Sequence, residues 1–263
     1  MELVEREPSS STEIISGVQY GTFEKITIYS DVCNRNKSFN VLLPAGYSVD
    51  RKYPVLYVLH GYWGNEDSLL DAGDASLKLQ QIIGNAIADG EVEDMIAVFP
   101  DIYASPTQDK CDGLNPKNNA FYDNFINVLL REIMPYMESN YSIRTGSNYT
   151  AITGFSMGGR ESLYIGFTRP DLFGYVGAIC PAPGLTDDLI STDDMIFRTE
   201  QPFLLISAGS DDDVVNPYPM NYHDILDNNG VEHMWNYVQG GTHGENVIRP
   251  HIYNFIRFIF RRN

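Results

Sequence analysis

The sequence is poor in cysteine, in basic residues and in long apolar runs, and each scarcity excludes something. Only Cys33, Cys111 and Cys180 stand among its 263 residues. They form no C-x-x-C pair, and three cannot all pair within one chain. Neither a disulfide scaffold nor a cysteine-rich zinc module is expected. Cys180 ends an apolar run and reads as a buried thiol. Cys33 and Cys111 lie in polar stretches, and a bond between them is left open. Lysine and arginine number 18 against 35 aspartates and glutamates, a formal net charge of −17. A surface of that sign repels nucleic acid and anionic membranes, so neither is an expected partner. It is compatible with a neutral substrate or a carbohydrate polymer, and solubility is its plainer use. No run reaches the length of a membrane span. H-E-x-x-H is absent, and His60 has no second ligand at a zinc spacing, so no metal and no other cofactor is expected.

The first residues, Met1 to Arg6, lack the basic start and apolar centre of a secretory leader. Residues 7–13 (EPSSSTE) have the composition of a linker. Residues 1–15 are therefore expected to form a linker-like tail and 16–263 a single domain. The chain reads as a secreted module of a longer enzyme, with a cytoplasmic protein as the alternative.

What is present is core-forming material: 43% hydrophobic residues, with 17 tyrosines and 13 phenylalanines. That suffices for one large core. Phe23 to Ile28 and Phe39 to Leu43 read as an opening antiparallel pair. Apolar runs at 54–60, 95–99, 174–180 and 203–207 read as strands buried on both faces, and 149–153 and 234–238 read as further strands. Helical spacing appears at 75–88, 121–140, 156–167, 218–228 and 247–260. Pro135 is expected to kink or divide the second of these. Alternation of this kind predicts an α/β fold, a mostly parallel sheet with helices on both faces. The short stretch between 180 and 203 leaves no room for a large lid domain.

The residues that carry chemistry begin with Gly154-Phe155-Ser156-Met157-Gly158. This is G-x-S-x-G, the sharp strand-to-helix turn that exposes a nucleophilic serine, and a predicted strand and helix flank it. A serine hydroxyl needs a base. In the α/β-hydrolase fold that goes with this turn, the acid and then the histidine follow the serine along the chain. Of His223, His233, His243 and His251, only His243 lies in a loop directly after a strand, within Gly240-Gly241-Thr242-His243-Gly244. Such loops are where ligands bind in parallel sheets. Asp211, Asp212 and Asp213 compete as the acid. The usual acid-loop pattern of this fold, G-x-x-D-x-x-V, selects Asp212 between Gly209 and Val215. The developing oxyanion needs donors. The main-chain N–H of Met157 and that of Tyr62, in the loop His60-Gly61-Tyr62-Trp63-Gly64, are the candidates.

Together these motifs resemble the esterase D-like branch of the α/β hydrolases. The nearer resemblance is to carbohydrate esterase family 1 and to the feruloyl esterase modules attached to xylanases. It rests on 57–61 (YVLHG), 134–142 (MPYMESNYS), 154–159 (GFSMGG), 203–215 and 239–243 (QGGTH), and it spans about residues 22–260. The resemblance implies an α/β-hydrolase fold and a serine esterase that cleaves hydroxycinnamoyl, or acetyl, esters of plant cell-wall polysaccharide. It implies Ser156, Asp212 and His243 as a triad and Tyr62 and Met157 as the oxyanion hole. Family members often belong to secreted multi-domain enzymes. The alternatives are an acetylxylan esterase, a thioesterase of the S-formylglutathione hydrolase type, an acyltransferase of the mycolyltransferase type, and a catalytically inert binding module. Trp63 is a candidate contact for an aromatic acyl group. Asp101 and Tyr103 are candidates for sugar hydroxyls, against ordinary loop packing.

Overall fold

The computed structural model describes residues 2–70, 77–185, 189–190, 195–197 and 199–260. Eight strands form one sheet: β1 (Thr22–Ser30), β2 (Arg35–Leu43), β3 (Val55–Leu59), β4 (Ile96–Pro100), β5 (Thr150–Gly154), β6 (Tyr175–Ile179), β7 (Phe203–Gly209) and β8 (Met234–Val238). Their spatial order is β1-β2-β4-β3-β5-β6-β7-β8. β1 runs antiparallel to β2, and β2 to β4; all later pairings are parallel. This is the α/β-hydrolase fold.

β3, β4 and β5 are buried at every position because each is covered twice. Val55, Tyr57 and Leu59 of β3 face one cluster, and Leu56 and Val58 face the other. Two helices cover the second cluster, α1 (Leu79–Ala88) and α7 (Glu245–Phe258). The first is covered by α2 (Pro116–Asp123), α3 (Phe125–Val128), α4 (Met134–Asn140), α5 (Met157–Thr168) and α6 (Tyr218–Asn228). The start of the helix expected at 75–88 lies outside the described residues. The pattern read as one helix over 121–140 is divided. A wide turn of π type, Leu129–Ile133, separates α3 from α4 just before Pro135. A wider turn accommodates a proline ring and its missing N–H. Phe125, Val128, Leu129 and Ile133 nevertheless share the buried face, as their spacing implies.

The segment expected to be linker-like differs from that expectation. The Asn254 side chain accepts from the Val4 N–H at 3.0 Å and donates to the Val4 carbonyl at 2.7 Å. A short 3-10 turn, Ser9–Thr12, packs on α1. There the Asn85 amide lies 2.9–3.1 Å from the carbonyls of Ser10, Ser11 and Glu13. Two interior amides thus hold backbone that its own composition would leave in solvent. The three cysteines are free thiols.

Candidate active site

Four loops leave the carboxyl ends of β3, β5, β7 and β8 and converge. The turn after β5 is tight. Ser156 has φ +58° and ψ −115°, a conformation that costs an L-residue about 1–3 kcal/mol. Its neighbours impose it. The Ser156 N–H donates to the Ile179 carbonyl at 2.8 Å, and its own carbonyl accepts from Arg160 and Ala182 at 3.0 Å. The flanking glycines are close-approach positions. A Cβ on Gly154 would stand 2.4 Å from the Gly158 oxygen, and one on Gly158 would stand 2.4 Å from the Leu59 oxygen.

Ser156 Oγ lies 3.0 Å from His243 Nε2, and His243 Nδ1 lies 2.8 Å from Asp212 Oδ2. An ionised carboxylate only accepts, so Nδ1 carries the proton. Nε2 then presents its lone pair to the serine, whose hydroxyl donates. The second Asp212 oxygen accepts from the N–H groups of Val214 and Val215, at 2.9 and 3.1 Å. Asp212 is 2% exposed. Burial pushes its carboxyl up, but the bonds from His243 and the two amides outweigh burial and hold it below the ordinary aspartate value. Of the three competing aspartates, only Asp212 lies against His243. Asp211 is taken up by the Ser210 hydroxyl.

The loop after β3 abuts the serine. A Cβ on Gly61 would stand 3.3 Å from Ser156 Cβ. His60 sets this loop from inside. Its Nε2 accepts from the Ile102 N–H at 2.9 Å, so its Nδ1 donates to the Gly61 carbonyl at 2.7 Å. Met157 opens α5, so its N–H has no partner within the helix. Tyr62 and Met157 both line the cleft in front of Ser156. Trp63 stands at its rim, 60% exposed, with φ +61° and its N–H donating to the Tyr122 hydroxyl at 3.0 Å.

The cleft has a volume of about 330 Å³, within the range of small-molecule sites. Its walls are largely apolar, with Leu114, Pro183, Val214 and Phe155 around Trp63, and Asn119 supplies an amide. Asp101 and Tyr103 are not among its lining residues. The Asp101 carboxylate binds the Lys37 ammonium, and buried Tyr103 sends its hydroxyl to Asn118 at 2.5 Å. Loop packing, not sugar contact, describes both.

Two neighbours of the site carried no sequence signal. Phe155 fills the second position of G-x-S-x-G, where any residue fits the motif. Its ring lies on His243. Cys180 reads as a buried thiol, and its sulfur lies within 4.8 Å of ligand atoms of Asp212 and His243. Burial, and then the Asp212 charge, push that thiol well above its ordinary value and keep it protonated.

The known proteins to which this chain is similar are esterases. The esterase family model matches residues 30–239. A carbohydrate esterase family 1 ferulic acid esterase from Anaeromyces mucronatus, solved with ferulic acid, is 42% identical. The match covers 99% of this chain and 98% of that one, with a TM-score of 0.93. An endo-1,4-beta-xylanase/feruloyl esterase of Xylanibacter ruminicola is 33% identical over 62% of this chain and 22% of its own length. Endo-1,4-beta-xylanase Y of Acetivibrio thermocellus is 31% identical over 69% of this chain and 17% of its own. The chain thus spans about a fifth of the length of these curated relatives. It belongs to the esterase family of α/β hydrolases, in the group that holds the carbohydrate esterase family 1 ferulic acid esterases.

Proposed function

We propose that this chain is a feruloyl esterase, cleaving hydroxycinnamoyl esters of plant cell-wall polysaccharide such as arabinoxylan through an acyl-enzyme on Ser156. What supports this most is the serine–histidine–aspartate chain opening onto a small, largely apolar cleft, in a chain 42% identical to a ferulic acid esterase over nearly the whole of both.

In this reading His243 Nε2 takes the Ser156 proton as Oγ attacks the ester carbonyl. Asp212 holds the imidazole in the correct tautomer and stabilises the imidazolium that forms. The N–H groups of Tyr62 and Met157 donate to the oxyanion. His243 then protonates the departing sugar hydroxyl, and the acyl group stays on Ser156. Water, deprotonated by His243, attacks the acyl-enzyme and releases the hydroxycinnamate. The apolar walls receive the aromatic ring, with Trp63 at its edge. The sugar leaves toward solvent, and the −17 net charge of the chain does not oppose a neutral polysaccharide.

A place within a longer, secreted xylan-degrading enzyme belongs to the same proposal; the names of the curated relatives and the small share of their length that this chain spans support the longer enzyme. No helix among the described residues is long and apolar enough to cross a membrane.

The test is a parallel rate measurement on methyl ferulate and an acetylated sugar ester, with Ser156→Ala as control. Preference for ferulate, abolished in the control, is expected. Preference for acetate would turn the reading to deacetylation. Turnover of ferulate only with an alcohol acceptor present would turn it to acyl transfer.

A further inference from the structure

We propose that His223 and His233, backed by Asp227, form a binding site for a divalent transition-metal ion that clamps α6 to the start of β8. His223 and Asp227 lie one turn apart on α6, and His233 immediately precedes β8. His223 Nδ1 and His233 Nε2 are 2.7 Å apart. His233 Nδ1 lies 2.8 Å from the Val231 carbonyl, which only accepts, so that nitrogen carries the proton. Nε2 therefore turns a lone pair toward His223. The other nitrogen of His223, Nε2, faces Asp227 Oδ2 at 3.7 Å. One nitrogen of each ring points into a shared gap, and the other faces a carbonyl or a carboxylate. That outer arrangement is the one that orients histidine ligands of metal ions.

Without an ion, the His223 Nδ1–H donates to the His233 Nε2 lone pair across this gap, and an ion would take the place of that proton. Two nitrogens at about 2.0–2.1 Å from a tetrahedral ion stand roughly 3.3 Å apart, so the rings must part by a few tenths of an ångström. The two partners suit that movement. The His233 side chain is 2% exposed and fixed, whereas that of His223 is 22% exposed on the helix surface. One ligand atom from each of the three residues lies within 4.8 Å of the others. Two imidazole nitrogens, with the Asp227 carboxylate behind them as an outer partner, suit zinc, nickel or copper and not magnesium or calcium. On loading, the ion bonds to His223 Nδ1 and His233 Nε2. The proton between the rings leaves Nδ1 for solvent, and Nε2 of the same ring takes one up beside Asp227.

The site is separate from ester hydrolysis. It sits at the amino end of β8, whereas Asp212 and His243 follow the carboxyl ends of β7 and β8. It also carries its own reporter. The Trp235 ring is stacked on His223, with centroids 4.7 Å apart and planes within 1°.

The experiment is calorimetric titration with zinc chloride, together with tryptophan fluorescence during titration with nickel chloride. Wild type is compared with His223→Gln and His233→Asn. Hydrolysis of a simple aryl ester, unchanged in both variants, confirms that they are folded. The proposal expects one zinc ion per chain at low micromolar concentration, nickel quenching of Trp235, and at least a tenfold weakening of both in either variant. If His233→Asn does not fold, His223→Gln decides alone. Absence of zinc binding below millimolar concentration would overturn the proposal. So would zinc binding that is equal in the variants and inhibits ester hydrolysis, because that pattern places the ion at Cys180, Asp212 and His243.

Discussion

The ring of Phe155 lies against the imidazole of His243, with centroids 4.5 Å apart and planes tilted by 40°. The edge of the same ring also meets the loop after β3, since a Cβ on Gly61 would touch its Cδ1 at 3.3 Å. Phe155 therefore sets the spacing between the base and the loop that carries Tyr62. Phe155→Ala leaves every hydrogen bond of Ser156, His243 and Asp212 chemically possible but removes the surface that holds the imidazole in place. The expected result is a fall in kcat of about tenfold, equivalent to ~1.4 kcal/mol, with Phe155→Leu recovering most of it. Steady-state kinetics on methyl ferulate checks this. A kcat unchanged in the alanine variant would show that the ring only packs.

Asp212 makes a prediction about pH as well as rate. Its folded carboxyl lies below the ordinary aspartate value, so folding favours the ionised form. The stability it contributes is complete above the unfolded value, near pH 4, and is lost as pH falls through the lower folded value. Asp212→Asn removes that dependence and also unsettles the tautomer of His243. The variant is expected to lose about 10³–10⁴-fold in kcat. Its melting temperature should also fall less steeply than that of wild type from about pH 4 downward. A parallel slope in the two proteins would show that the carboxylate is not a source of the acid sensitivity.

What the sequence made legible follows from how each signal is encoded. β3 and β4 could be read because strands covered on both faces are apolar along their length, as in 55–59, whereas β5 and β8 carry polar residues and were placed by the alternation of elements. Ser156 and His243 could be read because a local motif fixes one and its place after a strand fixes the other. Contacts between distant polar groups were not legible. Residues 7–13 have a linker's composition. What docks this stretch is the amide of Asn85, more than seventy residues on, with Asn254 holding Val4 just ahead of it. Asp101 follows a strand end, as a ligand-binding residue would. Yet its carboxylate is paired with the Lys37 ammonium, on β2, and Asp101 does not line the cleft. The π turn before Pro135 is invisible because a wide turn keeps the same apolar spacing on its buried face.

The glycines of the elbow give a prediction in which space alone decides. Gly158 lies in α5 against β3, and an added methyl would stand 2.4 Å from the Leu59 oxygen and 2.5 Å from the His60 oxygen. Both obstacles are backbone, so neither can swing aside. Gly158→Ala must push the helix off the strand that carries the Tyr62 loop. The expected outcome is loss of soluble protein, or a melting temperature lowered by ~1–3 kcal/mol of overpacking. Gly244→Ala, where nothing lies within 4 Å, is the matched control. Equal melting curves for the two would show that the close approach is relieved elsewhere.

Asn85 tests whether the amino-terminal segment is part of the folded unit. Its amide nitrogen faces three carbonyls, and its oxygen accepts from the Tyr20 hydroxyl at 2.6 Å. The side chain itself is buried. Asn85→Ala would remove one donor group that serves several acceptors and would leave a hydroxyl and three carbonyls to find water. Each unsatisfied buried group costs about 1–3 kcal/mol, but residues 9–13 sit near the surface and can lift away to be solvated. The expected loss is therefore about 2 kcal/mol, read as a lower urea midpoint. Proteolysis should become faster within residues 1–20, with kcat/KM on methyl ferulate unchanged. Asn85→Asp keeps the acceptor for Tyr20 but brings a carboxylate against three carbonyls, so it should be the more damaging change. If it were instead the milder one, the bond to Tyr20 would outweigh the three to the tail.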